Sequence, residues 1–140
     1  MVSKFKEGDL LPPIEKDIDQ ARIDQWAALS GDFNRLHVDP EYARQSPFKG
    51  TISHGPLSLA FLNEFMMASF GVHWATTGKL QDVRFVAPIR PGERIKIGGS
   101  IQSILEDENV QEIECNISIE KPGSEKAVVG RAFVQIPRGK

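Results

Sequence analysis

Two hydrophobic periods divide this chain. In the C-terminal half the period is two: Ile113, Cys115, Ile117 and Ile119 alternate with Glu112, Glu114, Asn116, Ser118 and Glu120. Successive strand side chains point to opposite faces, so this pattern predicts a strand over 110–121 with one face buried and one in water. Residues 94–105 repeat it, with Ile95, Ile97, Gly99, Ile101 and Leu105 on the apolar side and Arg94, Lys96, Ser100 and Gln102 opposite. Glu106-Asp107-Glu108-Asn109 makes the turn between the two, and Lys121-Pro122-Gly123-Ser124 makes the next. A further strand is predicted over 126–136 and an earlier one over 79–87, the latter followed by the turn Pro88-Ile89-Arg90-Pro91-Gly92.

The N-terminal half reads as helical. Pro12-Pro13 forces an extended lead-in, with a short strand at 14–18. A helix is predicted over 20–30, with Asp19 as N-cap, Ile18 and Ile23 at staple spacing, and Gly31 closing it in a left-handed conformation. A loop over 32–38 leads to a short helix with Asp39 as N-cap and Pro40 at its first position. After a loop over 46–53, a longer helix starts at His54-Gly55-Pro56, with Pro56 at its first position, and runs to Phe70 and Gly71. Its apolar residues cover nearly the whole circumference, which predicts a buried helix wrapped by a curved sheet. His73 and Trp74 fall in a loop beyond it, a candidate pocket mouth. Helices first and a strand meander afterwards make the class α+β, and the 140 residues fit one domain, 1–140.

Composition narrows the function classes. Seventeen basic and 19 acidic residues leave a net charge of −2 with no basic block, which argues against nucleic acid as a partner. A polyanionic ligand such as coenzyme A would need a local basic site. Cys115 is the one cysteine, so there is no intrachain disulfide, consistent with a reducing, cytoplasmic setting. Met1-Val2-Ser3-Lys4-Phe5-Lys6 has no signal-peptide core. The apolar stretch from Leu57 to Phe70 is too short for a bilayer. A soluble protein that does not enter membranes is expected. Cys115 sits on the apolar side of its strand and reads as inert filler.

Chemistry concentrates in two segments. In Ser30-Gly31-Asp32-Phe33-Asn34-Arg35-Leu36-His37, a carboxylate and an imidazole stand five apart beyond a helix end, a spacing that lets both reach one water and move protons near neutral pH. In Gly50-Thr51-Ile52-Ser53-His54-Gly55, the Gly55 N–H is among the unsatisfied donors at a helix start, where the helix dipole favours a developing oxyanion. His54 reads as a structural hydrogen-bonding residue. No metal site is expected, since three histidines without cysteine partners or paired helical spacing form no recognised set.

Asp32-x-Asn34-x-x-His37, then Asp39-Pro40-Glu41-Tyr42-Ala43, then Gly50 and His54-Gly55, resembles the hydratase motif of the MaoC-like family, which includes (R)-specific enoyl-CoA hydratases. The later stretch from Val83-Arg84-Phe85 to Pro91-Gly92-Glu93 is similar to that family's strand and turn after the central helix, and the likeness runs from about Phe5 to Ile136. The resemblance implies a hotdog fold, a homodimer or higher homo-oligomer, and reversible hydration of a trans-2-enoyl thioester to the (R)-3-hydroxyacyl thioester. The substrate would be carried on coenzyme A or an acyl-carrier protein, with no further cofactor. It implies that Asp32 and His37 hold the water, Asp32 as base and His37 as donor to the α-carbon, or the reverse. It also implies that Gly55 binds the thioester oxygen and that Asn34 fixes the loop or orients the pair.

Three positions depart from the family pattern. Arg35 stands where proline is frequent and is expected to face water. Pro56 replaces a common methionine. Asn63 stands near where some members of the family place a serine that helps bind the acyl carbonyl, a role an amide could fill. A hotdog thioesterase and a non-catalytic acyl-thioester-binding subunit are the competing readings.

Overall fold

The computed structural model describes residues 4–139; Met1–Ser3, the start of the stretch read as lacking a signal core, and Lys140 lie outside the described residues. The described residues form a five-stranded antiparallel sheet in the order β1-β3-β4-β5-β2. Its strands are β1 (Leu10–Ile18), β2 (Lys79–Phe85), β3 (Glu93–Glu106), β4 (Val110–Glu120) and β5 (Lys126–Pro137). The helices are α1 (Gln20–Ser30), α2 (Arg35–Val38), α3 (Pro40–Arg44), α4 (Gly55–Phe70) and α5 (Val72–Thr77). This is the α+β hotdog architecture, a long helix cradled by a curved sheet.

The period-two strands build the core directly. Ile113, Cys115, Ile117 and Ile119 of β4 and Ile95, Ile97 and Ile101 of β3 are buried against Leu57, Phe61, Leu62, Phe65, Met66 and Phe70 of α4. Burying each large side chain contributes about 1.5–3 kcal/mol, and truncating Phe65, which is wholly enclosed, to alanine would cost about 3–5 kcal/mol. The ends of α1 follow the sequence signals. Asp19 accepts from the Arg22 N–H, Gly31 takes φ 80°, and the staple residues Ile18 and Ile23 are both buried.

Several expectations need correction. Strand β1 begins at Leu10, four residues early, because a bulge between Leu11 and Ile14 absorbs Pro12 and Pro13, which have no N–H to give the ladder. Leu105 is exposed rather than inward: the β3–β4 register shifts between Ile101 and Ser103, so Ile104, opposite Ile113, packs on the core. The segment read as loop contains the one-turn helix α2, and the one holding His73 and Trp74 forms α5, with Trp74 buried. Strand β2 ends at Phe85. Helix α4 is not buried all round, since Pro56, Asn63, Glu64, Met67 and Ala68 are exposed. Gly55 is its first residue and Pro56 its second. Among the described residues no helix is long and apolar enough to cross a membrane.

Candidate active site

Three short segments meet at the N-terminus of α4. The first is the turn between α1 and α2, whose shape the sequence fixes locally. Asp32 Oδ1 accepts from the Asn34 N–H at 3.1 Å, and Asn34 Oδ1 accepts from the Leu36 N–H at 3.0 Å, capping α2. Asn34 therefore sets the loop that carries the pair through its Oδ1. His37 projects from α2, half-buried, while Asp32 remains exposed. Arg35 faces water as expected, paired with Asp39 at 3.0 Å and lying 4.4 Å over the Tyr42 ring.

The second segment, residues 51–54, supplies the anchors. His37 Nδ1 donates to the Ile52 carbonyl at 2.8 Å, since a carbonyl can only accept. That bond leaves Nε2 of the neutral ring with its lone pair free. His54 is fully buried, and its Nε2 donates to the Asp32 carbonyl at 3.0 Å. The two imidazoles stack, with centroids 3.8 Å apart and planes 25° from parallel. His54 Nδ1 is buried with no partner among the described residues.

One ligand-capable atom from each of Asp32, His37 and His54 lies within 4.8 Å of the others. Atoms that close can share one water by ordinary hydrogen bonds. The same N,N,O set is of a type that divalent metals accept, so the fold assembles a metal-compatible cluster that sequence spacing did not suggest.

The third element is the α4 terminus itself. His54, the N-cap residue, makes no side-chain cap bond, and the Gly55 N–H, at the positive end of a 16-residue helix, has no acceptor among the described residues; Pro56 at the second position has no N–H to compete with it. A cleft of about 360 Å³ opens beside it, lined by His37, Ile52, Gly55, Ser58, Phe85 and Val86 among others. Its walls are mostly apolar and its size suits an acyl chain. A larger hollow of about 880 Å³ crosses the outer sheet face; there Arg131 is bonded to Asp82 and Glu114 and Lys126 to Glu120, while Arg84 and Lys96 make no ion pair among the described residues.

Asn63 is not brought to this site. It lies two turns along α4 from Gly55, exposed, and its Oδ1 accepts from the Trp74 indole N–H at 2.7 Å, which ties α4 to α5. Two participants were not evident in the sequence. Gln20, at the first position of α1, donates to the His37 carbonyl at 2.7 Å and accepts from the Thr51 hydroxyl at 2.7 Å, so one amide joins the first two segments. Ser58, one turn into α4, is a buried hydroxyl in the cleft wall. Nothing in a single sequence distinguishes either from an ordinary helix residue. A polar residue inside the long apolar run was the one available hint for Ser58.

An imidazole and a helix-terminal glycine on an acyl-sized cleft of a hotdog fold, with a carboxylate oxygen within 4.8 Å of that imidazole, define an acyl-thioester enzyme of the hydratase type. Residues 5–120 match the family model described as MaoC like domain, and the chain belongs to that family. It is 34% identical over 124 residues to 3-hydroxyacyl-thioester dehydratase Z of Mycobacterium tuberculosis, covering 84% of this chain and 82% of that protein. It is 28% identical over 127 residues to the (R)-specific enoyl-CoA hydratase of Aeromonas caviae, covering 89% and 90%. A solved structure of the A. caviae (R)-hydratase superposes with a TM-score of 0.81 at 25% identity, covering 97% of this chain and all of that one. The protein is thus a hydro-lyase of the hydratase/dehydratase type.

Proposed function

We propose that this protein adds water reversibly across the double bond of a trans-2-enoyl thioester, giving the (R)-3-hydroxyacyl thioester. The observation that carries the reading is the convergence of Asp32 and His37 within one water's reach, with His37 and Gly55 lining the same cleft. The thioester oxygen sits on that N–H, which stabilises the enolate as the β-carbon is attacked; such a donor is worth about 3–4 kcal/mol. Asp32 orients the water through its carboxylate.

His37 carries the proton. Its Nδ1 is occupied by Ile52, so Nε2 is the basic atom. It takes a proton from water as oxygen bonds to the β-carbon, then returns that proton to the α-carbon as the enolate collapses. One water is consumed, nothing is oxidised or reduced, and no cofactor beyond the thioester is required. This differs from the first sequence-based assignment, in which Asp32 is the base and His37 the donor to the α-carbon: here His37 fills both roles and Asp32 orients the water. The (R) configuration follows the relative named (R)-specific. A homodimer is part of the proposal, because β1 and β2 leave two open sheet edges and α4 leaves Pro56 and Met67 exposed.

The test is turnover of trans-2-enoyl-CoAs of graded chain length, followed by loss of enoyl absorbance and by free-thiol release in parallel, with and without a chelator. Loss of absorbance without thiol release is expected, unaffected by the chelator, with Asp32→Asn and His37→Ala each slower by about 10²–10⁴. Thiol release would make the protein a thioesterase. Loss of activity on chelation, restored by zinc, would move the chemistry to a metal.

A further inference from the structure

The segment that anchors His37 has a second cleft at its other end. About 340 Å³ in volume, it is lined by Arg44, Lys49 and Arg90 together with Pro40, Gly50, Thr51 and Pro91, so three cations and no carboxylate form its walls. The chain carries a net charge of −2, so this concentration is local. Lys49 and Arg90 have no ion-pair partner among the described residues, whereas Arg94 and Arg131 are each bonded to two carboxylates. Arg44 is paired with the exposed Glu41 at 2.8 Å. Glu93, the acidic residue nearest in the chain to Arg90, accepts from the Arg90 backbone N–H and pairs with Lys121.

The backbone there is shaped closely. Lys49 has φ 61°, a left-handed conformation that costs a bulky residue on the order of 1 kcal/mol. Arg90 Nη1 lies 3.6 Å from the position a Gly50 Cβ would take, so the guanidinium rests on that backbone. Both walls run on into the acyl cleft: residues 50–51 continue to Ile52, Ser53 and Gly55, and Arg90 follows Pro88 and Ile89. The Ser53 N–H bonds the Ile89 carbonyl at 2.7 Å, holding the two walls together. Five residues separate Gly50 from Gly55, at most about 17 Å of chain, a length of the order of a pantetheine arm.

We infer that the Arg44–Lys49–Arg90 cleft binds the phosphate group at the far end of the pantetheine arm while the thioester sits at Gly55. The inference rests on the thioester reading above and names the part of the substrate that reading leaves open. Phosphate oxygens accept from guanidinium and ammonium donors, and a diester or diphosphate supplies enough of them for all three cations.

The experiment compares one four-carbon enoyl group on three carriers: coenzyme A, pantetheine, which ends in a hydroxyl, and a holo acyl-carrier protein. Arg90→Gln and Lys49→Gln are set beside wild type and Lys96→Gln, a cation on the outer sheet face. Each cleft variant is expected to raise KM for the CoA thioester about ten-fold, with kcat unchanged and with no effect on the pantetheine thioester. Loss on both phosphate-bearing carriers assigns the cleft to the shared phosphate; loss on CoA alone assigns it to the diphosphate. Equal loss on the pantetheine thioester, or none on the CoA thioester, overturns the inference. Calorimetric binding of free CoA separates this from the reaction itself. If nothing is turned over yet the variants weaken CoA binding about ten-fold, the cleft stands and hydration falls. If CoA binding is the same in all four proteins, the cleft is refuted.

Discussion

His37 lies flat on His54, ring against ring at 3.8 Å, and each imidazole is pinned to a main-chain carbonyl from the other's segment: His37 to Ile52 and His54 to Asp32. The reciprocal arrangement fixes both the tautomer of His37 and the position of the Asp32 backbone. His54 therefore acts through its neighbours, as a positioning residue. Replacing it by alanine removes the surface under His37 and the donor to Asp32, and is expected to lower kcat about 10²-fold, the scale of a 1 Å misplacement. His54→Phe keeps the ring face and loses the donor, so it should recover part of that activity. Ring-current shifts of the His37 protons provide the second readout: retained in the phenylalanine variant and absent in the alanine one. Equal activity in the two variants would mean the stack is irrelevant.

Gly55 is held small by a neighbour rather than by its backbone angle. A Cβ there would stand 3.2 Å from Phe85 Cζ and 3.3 Å from Cε1, and Phe85, exposed on the cleft wall, is free to swing away. Gly55→Ala is expected to fold normally and to lose about ten-fold in kcat/KM as the ring moves off its place. In the double variant Gly55→Ala/Phe85→Ala the alanine at 55 should add nothing to the effect of Phe85→Ala alone, which a double-mutant cycle measures. Additive losses would place the fault at the oxyanion donor.

Cys115 lies fully buried among the core isoleucines, and burial, with a smaller contribution from the Glu114 charge, pushes its thiol up to about 12. The thiolate is the reactive form, so the native protein should resist disulfide reagents at pH 8 and react only when denatured. Cys115→Ser, which puts a hydroxyl among isoleucines, should cost about 1–3 kcal/mol in denaturant melts. Rapid labelling of the folded protein would contradict this.

Asp39 caps α3 and pairs with Arg35; the Tyr42 N–H first, and the Arg35 side chain next, hold its carboxyl below the usual carboxylate range. A group whose pKa is lowered on folding stabilises the fold above its unfolded value and loses that effect as pH falls through the folded one. Asp39→Asn, which can still cap the helix, should therefore melt lower than wild type at neutral pH. The gap should close as pH falls below the ordinary carboxylate range and through the lowered folded value. A gap independent of pH would exclude the carboxylate charge as its cause.

Local physics wrote much of this protein into its sequence. The alternation in β4 left one way to bury four residues, and the Asp19 and Gly31 signals set both ends of α1 to the residue. The motif around Asp32, Asn34 and His37 could be read because its internal hydrogen bonds span only two or three residues. What needed the folded chain was everything that joins distant segments. The flip that exposes Leu105 came from a bulge set by pairing with β4. Asn63 went to Trp74 because α5 packs back against α4. His54 has the structural hydrogen-bonding role its sequence suggested, but its stacking on His37, the Gln20 bridge to Thr51, and the meeting of Arg44, Lys49 and Arg90 in one cleft came only with the fold. Periodicity and capping are energies of near neighbours, whereas these contacts depend on how whole elements pack, and a linear pattern carries no record of that distance.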